Sequence, residues 1–406
     1  MTEVLLSTAL LTAIVLVLTA AVMAARAVLA PSRTVEILVN GTTAYQGHTG
    51  DKLLPILRGG GLPIPSACAG AGTCGLCRVR IPEGVTAPLP TELARLSRTE
   101  VREGVRLACQ TVVRAPLKVT VPDEFLSAET LTCTVVSNTM LAPLIKEVVL
   151  ALPKGTGFDP RPGAFVQITA PPYTLAFAQI EVDPAHEEIW RRLGWRALQV
   201  DSDAPVTRAY SLANTPADEG RVVLTIRLAV PPPGGDDIPP GLVSSYLFGL
   251  TPGDSVEVAG PYGDFGAMQT DREMVFIGGG VGMAPLRSIV HDQLDRLGTT
   301  RRMSYWYGAR GEADAFYVEE FRDLADRHSN FSFHLALSDP DPDRPTDAAT
   351  GFIHEVAYRT YLSDHPAPED CEYYLCGPPL MIHAVRAMLD SIGVEDEMIH
   401  FDDFGG

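Results

Sequence analysis

Basic residues are scarce in this 406-residue chain: Lys and Arg number 32 against 50 Asp and Glu, a formal net charge of −18. A polyanion such as nucleic acid needs a basic surface, so the balance argues against it as the main partner. Cysteines are few, seven in all, which excludes a disulfide-stapled secreted scaffold. Long apolar runs are rarer still. Residues 4–25 form the single uncharged stretch of the ~20-residue length that crosses a bilayer, so the rest of the chain is expected to be soluble. Apolar residues nevertheless make up 46%, too many for a disordered chain. The length leaves room for two or three domains at roughly 150 residues each.

The apolar run reads as a transmembrane helix over 4–25. A helix satisfies its own backbone polar groups in lipid, and no polar face recurs in the run at helical spacing. A cleaved signal peptide is the rival, with small residues at Ala24-Ala25-Arg26-Ala27. Signal peptides start with a basic segment and have a shorter apolar core; this chain starts Met1-Thr2-Glu3. Arg26 and Arg33 follow the run and Glu3 precedes it, so the positive-inside rule puts the bulk of the chain in the cytoplasm.

Four cysteines gather in one region: Cys68, Cys74, Cys77 and, after a gap, Cys109. The loop between the first three is filled with Ala, Gly and Thr. Small residues let backbone N–H groups approach cluster sulfurs. Cys-x-x-Cys alone could mean zinc or a redox dithiol, but a zinc site would show a second Cys-x-x-Cys or a His pair. Three clustered cysteines plus a distant one resemble the plant-type 2Fe-2S pattern C-x4-C-x2-C…C, with five residues here in the first gap instead of four. The surroundings predict a small β-grasp module: an alternating run at 34–39, an Asn40-Gly41 hairpin signal, strand-like runs at 77–81 and 117–121, and an end near Pro122. Cys133 and Cys371 each sit at a strand-like run and read as core thiols.

From about residue 131 to 266 short strands alternate with Gly/Pro turns, at 147–150, 164–168, 222–227 and 254–258, which predicts an antiparallel barrel. Residues 172–205 interrupt it with polar text and Trp190 and Trp195, and read as a surface excursion. Arg208-Ala209-Tyr210-Ser211 puts a phosphate-clamping guanidinium and a flat ring on one strand face, with Ser211 able to hydrogen-bond a ring heteroatom. Gly241 opens a helical pattern with Ser244 and Ser245 as donors for phosphate. The last region repeats strand and helix: an apolar strand at 273–277, then Gly278-Gly279-Gly280-Val281-Gly282, then a helix. Strands at 303–310, 331–338 and 372–376 follow, with helices at 318–327 and 380–392. Strand, glycine loop, helix is the phosphate cradle of a doubly wound nucleotide fold.

These motifs, in this order, resemble the ferredoxin–NADP⁺ reductase superfamily: R-x-Y-S at 208–211, a G-G-G-x-G-x-A-P loop from Gly278, and C-G-P-P from Cys376. With the cysteine module and the apolar segment in front, and Phe401-Asp402-Asp403-Phe404-Gly405-Gly406 at the end, nearly the whole chain is similar to the family of F subunits of bacterial Na⁺-translocating NADH:quinone oxidoreductases. The resemblance implies a multidomain fold: a transmembrane helix (4–25), a β-grasp 2Fe-2S ferredoxin domain (34–122), an antiparallel β-barrel FAD domain (130–267) and an α/β doubly wound NADH domain (273–406). Cys68, Cys74, Cys77 and Cys109 would hold the 2Fe-2S cluster. Arg208 would clamp the FAD pyrophosphate, Tyr210 stack on the isoalloxazine and Ser211 face its N5. Gly241, Ser244 and Ser245 would hold the diphosphate. Gly278, Gly279, Gly280 and Gly282 would form the NADH loop, with Arg310, Gly377 and Pro378 beside it. Cys376 would sit where hydride passes, and Phe404 would cover the flavin.

The implied function is NADH-driven electron input. Hydride passes from NADH to FAD, then single electrons go to the 2Fe-2S cluster and on to partner subunits that reduce quinone, with Na⁺ export by the complex. The implied place is the bacterial inner membrane, single-pass, with the soluble domains cytoplasmic. Asp339, Asp341 and Asp343 follow the strand at 331–338, where NADPH-using relatives place basic residues for the 2′-phosphate; three carboxylates there repel it and point to NADH. The alternatives are the soluble reductase component of a multicomponent oxygenase, which shares the domain order, and a docking subunit without chemistry.

Overall fold

A computed structural model describes Thr8 and residues 10–21, 32–66, 68, 70–84, 87–232, 234–235, 238–343 and 346–402. They fall into two units, one of residues 1–64 and 70–126, the other of 65–69 and 127–406.

Alternating apolar side chains build the first unit's main sheet. Strand Thr34–Val39 pairs antiparallel with Thr43–His48 and parallel with Leu117–Val119. It turns Val35, Ile37 and Val39 inward. The connection is the expected tight hairpin, with Asn40 and Gly41 both at positive φ, 48° and 72°, as a type I′ turn requires. The Asn40 side chain also closes the unit: its Nδ2 donates to Val121 O at 3.1 Å and its Oδ1 accepts from Val121 N–H at 2.8 Å. Helix Leu53–Gly59 packs Leu53, Leu54 and Leu57 onto the core, and Arg78–Arg80 pairs with Val105–Leu107.

In the same unit's N-terminal stretch, Thr8 and residues 10–21 are helical. Among the described residues no helix is long and apolar enough to cross a membrane; part of the expected span 4–25 lies outside them.

The second unit holds two six-stranded sheets. The first is antiparallel throughout, in the order Val206–Ser211, Phe165–Ala170, Ser255–Tyr262, Glu129–Ala142, Ile145–Ala151, Arg221–Arg227. It curls until its end strands meet at the Leu212–Leu224 bridge and at Ala213 N–H to Val223 O, 2.8 Å. Cys133 is fully buried inside, as expected of a core thiol, and burial pushes its pKa up to about 11. Residues 172–205, expected as a surface excursion, are instead folded onto this sheet. Tyr173–Ala176 pairs with Gln199–Ser202, and Asp183 caps helix Pro184–Arg192 by accepting from Ala185 N–H at 2.8 Å. Trp190 is fully buried, its ring 6.3 Å from Phe177 and 5.9 Å from Trp195. Its Nε1–H donates to Pro143 O at 2.6 Å. The polar text is only the outer face of an amphipathic helix; its tryptophan is core.

The second sheet is parallel, in the order Ala349–Thr350, Phe331–Leu337, Met303–Ala309, Met274–Gly279, Glu372–Cys376, Ile399–Asp402. Two of its inner strands, Met274–Gly279 and Glu372–Cys376, are buried at every residue, as helices on both faces demand. Sequence order reverses between Met274–Gly279 and Glu372–Cys376, which makes their carboxyl ends the ligand crevice of such sheets. Arg287, in helix Met283–His291, ties the two sheets together: Nη1 donates to Ala213 O at 2.5 Å and Nε to Glu320 Oε1 at 2.6 Å.

Trp190→Ala leaves a void the size of an indole and orphans a buried carbonyl. We expect a loss of roughly 3–5 kcal/mol, read as a lower denaturant midpoint for the second unit. A change below about 1 kcal/mol would mean that residues 172–205 are only draped on the surface.

Candidate functional site

The cysteine loop of the first unit turns on glycine. Gly70, Gly72 and Gly75 hold φ of 87°, 84° and 71°, a region that side chains resist. A Cβ on Gly72 would come within 2.8 Å of Gln110 Nε2. That amide in turn donates to Gly70 O at 2.9 Å and to Cys109 Sγ at 3.4 Å, lacing the loop to the distant cysteine. Ala108 N–H donates to Cys77 O at 2.9 Å. A hydrogen bond from Cys109, burial and the neighbouring Cys109 and Cys74 all drive the Cys77 thiol far above its usual range. Crowded thiols of this kind repel as thiolates and share a cation readily. Cys68, in the 65–69 segment that falls with the second unit, is half-buried. The donor set fits a thiolate-ligated iron–sulfur cluster.

In the second unit, strand Val206–Ser211 presents Arg208 and Tyr210 two residues apart, on one face. Tyr210 is half-buried, and burial raises its phenol pKa. The Arg208 Nη1 donates only to the neighbouring Thr207 O, 2.9 Å, among its described hydrogen bonds. Helix Leu242–Gly249 starts at Gly241, where a Cβ would meet Ser244 Oγ at 2.7 Å and Ala229 Cβ at 2.8 Å. Ser244 does not offer its hydroxyl outward: it donates to Gly241 O at 3.1 Å and accepts from Ala229 N–H at 3.2 Å. Ser245 Oγ is buried without a partner. A helix N-terminus whose first amides lack intrahelical acceptors, an orphaned hydroxyl and a guanidinium fit a flavin dinucleotide.

The expected dinucleotide residues converge where the parallel sheet reverses. Gly278 pairs with Cys376, and Cys376 with Asp402. The glycine loop lies so close to the Cys376–Gly377 peptide that a Cβ on Gly282 would stand 2.1 Å from Cys376 O. From the antiparallel sheet, Ser211 Oγ donates to Asp402 Oδ2 at 3.2 Å, so the R-x-Y-S strand ends beside Cys376. A cavity of about 1150 Å³ opens here, lined by Gly279, Gly280, Arg310, Gly377 and Pro378, with Trp195 and Arg227 from the antiparallel sheet's side. Phe352 and Leu380 stand exposed at its lining. Arg310 meets Asp339 at 3.3 Å, both largely exposed. Phe404 lies outside the described residues.

Asp402, Gln110 and Trp195 stand at these candidate sites, and motif reading does not single them out. The first is revealed by strand register, the second by its reach across 40 residues, and the third by the folding of residues 172–205. None of these has a local sequence signal.

Three family models match the chain: a 2Fe-2S iron–sulfur cluster binding domain over residues 37–114, an oxidoreductase FAD-binding domain over 193–266, and an oxidoreductase NAD-binding domain over 276–387. The chain is 46% identical over 404 residues to the F subunit of the Na(+)-translocating NADH-quinone reductase of Marinomonas sp. (strain MWYL1), covering 100% of this chain and 99% of that one. It is 47% identical over 406 residues to the protein of that name in Klebsiella pneumoniae, covering both fully. Among solved structures, the Amycolatopsis cytochrome P450 reductase GcoB is similar with a TM-score of 0.62 at 28% identity, over 91% of this chain and 99% of that one. The ferredoxin reductase of carbazole 1,9a-dioxygenase shares the fold, with a TM-score of 0.59 at 24% identity over 92% and 99%.

Gly282→Ala must push the glycine loop off the Cys376 carbonyl. The expected result is flavin content unchanged and NADH affinity at least tenfold weaker, measured by titration of the purified chain. Unaltered affinity would show that the loop does not hold the dinucleotide.

Proposed function

The chain belongs to the family of Na(+)-translocating NADH-quinone reductase F subunits, and from that membership we propose how its residues make it the NADH-oxidising, electron-input component of a respiratory complex. When bound, the flavin supplies an acceptor for the hydride of NADH, and the 2Fe-2S cluster a one-electron carrier. The rest is positioning. The carrying observation is the register that sets Gly278 and Asp402 on either side of Cys376, with Ser211 hydrogen-bonded to Asp402.

In this reading Arg208 clamps the flavin diphosphate with Gly241, Ser245 and the first amides of helix Leu242–Gly249. Ser244 acts indirectly, bracing the Gly241 turn through Ala229. Tyr210 stacks on the flavin ring and Phe404 covers it. Gly278, Gly279, Gly280 and Gly282 admit the NADH pyrophosphate, flanked by Arg310, Gly377 and Pro378. Cys376 and Ser211 border the point of hydride transfer, and their burial excludes water there. Cys68, Cys74, Cys77 and Cys109 ligate the cluster. The domain limits 34–122, 130–267 and 273–406 follow these assignments.

The same reading makes residues 4–25 a single membrane span, with the cofactor domains cytoplasmic and membrane subunits of the complex as partners. Its support is local. Leu10, Leu11, Ile14, Val15, Leu16, Val17 and Leu18 are all exposed on the described helical stretch. Thr12 and Thr19 turn their hydroxyls back onto Thr8 O and Val15 O, at 2.8 and 2.7 Å, which satisfies them without water. The cytochrome P450 reductase and the carbazole-dioxygenase ferredoxin reductase share the fold at 28% and 24% identity, against 46–47% for the quinone-reductase relatives.

Two variants test the site. Arg208→Ala should lose bound flavin. Cys376→Ala should keep flavin and cluster but slow flavin reduction by NADH on the order of 10²-fold, the scale of a misplaced reactant, in stopped-flow absorbance. For the whole reading, membranes lacking this chain should lose Na⁺-stimulated NADH:quinone reduction and regain it with the wild-type protein. Retained activity without the chain would overturn the assignment.

A further inference from the structure

The opposite end of the central strands carries a second group of donor side chains. Met274 pairs with Glu372, so the residues just before them, Glu273 and Cys371, start the two strands side by side, and Glu372 N–H donates to Glu273 O at 2.8 Å. His365 comes in from the turn that follows Leu362–Asp364. Its Nε2 lies 3.3 Å from Glu273 Oε2 and 3.8 Å from Cys371 Sγ. The three donor atoms all fall within 4.8 Å of one another. The Glu and His side chains are only 13% and 8% exposed, and a depression of about 510 Å³, lined also by Asp370 and Thr270, opens on them.

These separations are long for hydrogen bonds. A buried histidine elsewhere in this unit shows the spacing of a ring hydrogen-bonded to carboxylates: His291 meets Asp295 and Glu320 at 2.7 Å on both nitrogens. They are close to the edges of a metal tetrahedron. Bonds of about 2.0–2.1 Å to nitrogen and oxygen and about 2.3 Å to sulfur give an N···O edge of about 3.3 Å and an N···S edge of about 3.6 Å. The carboxylate is also held for the purpose. Its Oε1 accepts from Tyr361 O–H and lies 3.9 Å from Arg302 Nε, which leaves Oε2 turned to the group, as an outer-shell partner does for a metal ligand. Two long contacts hold the group without a metal, Ala367 N–H to His365 Nδ1 at 3.3 Å and the Cys371 thiol to Ala367 O at 3.8 Å. A metal at Nε2 puts the ring proton on Nδ1 and removes the thiol proton, so both would be given up.

We propose that Glu273, His365 and Cys371 bind one Zn²⁺, with water in the fourth position. One oxygen, one nitrogen and one sulfur donor in tetrahedral spacing suit zinc over harder cations. The site stands at the far end of strand Glu372–Cys376 from the hydride crevice, about 17 Å at 3.3 Å per residue. Its role is therefore structural: it clips the turn carrying His365 to the starts of the two strands whose other ends build the crevice.

The test uses the full chain in detergent with flavin and cluster in place, dialysed against micromolar zinc. Elemental analysis should find one zinc per chain beyond the iron of the cluster, and zinc K-edge absorption should show one sulfur at about 2.3 Å. Cys371→Ser and Glu273→Gln should each weaken zinc binding at least tenfold, with flavin, iron and NADH-driven flavin reduction unchanged. Should Cys371→Ser lose its cofactors, the near-isosteric Glu273→Gln decides. No retained zinc, zinc held equally by the variants, or a shell without sulfur would each overturn the proposal and leave a hydrogen-bonded trio.

Discussion

The parallel pairing of Met274–Gly279 with Glu372–Cys376 is the constraint on which the rest depends. Both strands are fully buried, and their faces alternate between two cores. Met274, Phe276, Tyr374 and Cys376 pack into one; Val275, Ile277, Tyr373 and Leu375 pack into the other. A slip of one residue would exchange those faces and break the Phe276–Tyr374 stack, 5.0 Å between ring centres. Packing on two sides therefore sets the register, and the register sets the chemistry. At the carboxyl ends it brings Gly278 to Cys376, and the further pairing with Ile399–Asp402 sets Asp402 on the other side. At the amino ends it starts Glu273 beside Cys371.

Register within one sheet does not bring the R-x-Y-S strand to it. That task falls to a polar clamp. The Arg287 side chain is 10% exposed, and an unpaired guanidinium there would be costly. Glu320 answers it with two hydrogen bonds, Ala213 O with a third, and Tyr317 stacks at 4.5 Å. Tyr317 in turn donates to Glu147 on the antiparallel sheet at 2.5 Å. Burial alone would raise the Glu320 pKa, but hydrogen bonds from His291 and Arg287 outweigh it and hold the carboxylate ionised. Directional bonds of this kind orient two surfaces where apolar contact alone would let them slide. Gly282 and Ser211, on opposite sides of the junction, depend on that orientation.

What could be read in the sequence was whatever has a short-range physical signature. Asn40-Gly41 announces its turn because few residues accept two positive φ values in succession. The run at 273–277 announces a doubly covered strand, and the glycines after it a close approach. The helix at 318–327 has the bounds its periodicity predicts. Residues 172–205 were misread because the polar face of a helix dominates its composition, while the tryptophan that anchors it is one residue. Ser244 could be placed at a helix start but not given its partners, since the competing acceptor, Gly241 O, is itself made by the turn. The contacts of Asp402 and the Glu273–His365–Cys371 group have no local signal; they exist only once strands far apart in the chain are paired.

Charge is the property that composition averages away and geometry restores. The acidic excess of the chain says little by itself about nicotinamide choice. After strand Phe331–Leu337, however, Asp339 faces Arg310, a cation lining the dinucleotide cavity, at 3.3 Å. Exposed pairs are worth little as stability; under the proposed function this one would act on the ligand. A 2′-phosphate reaching for Arg310 would have to displace a carboxylate already paired with it, with Asp341 and Asp343 two and four residues further along the chain. A 2′-hydroxyl meets no such repulsion and can donate to the same carboxylate. Under the proposed function, this local sign of charge favours NADH over its phosphorylated analogue.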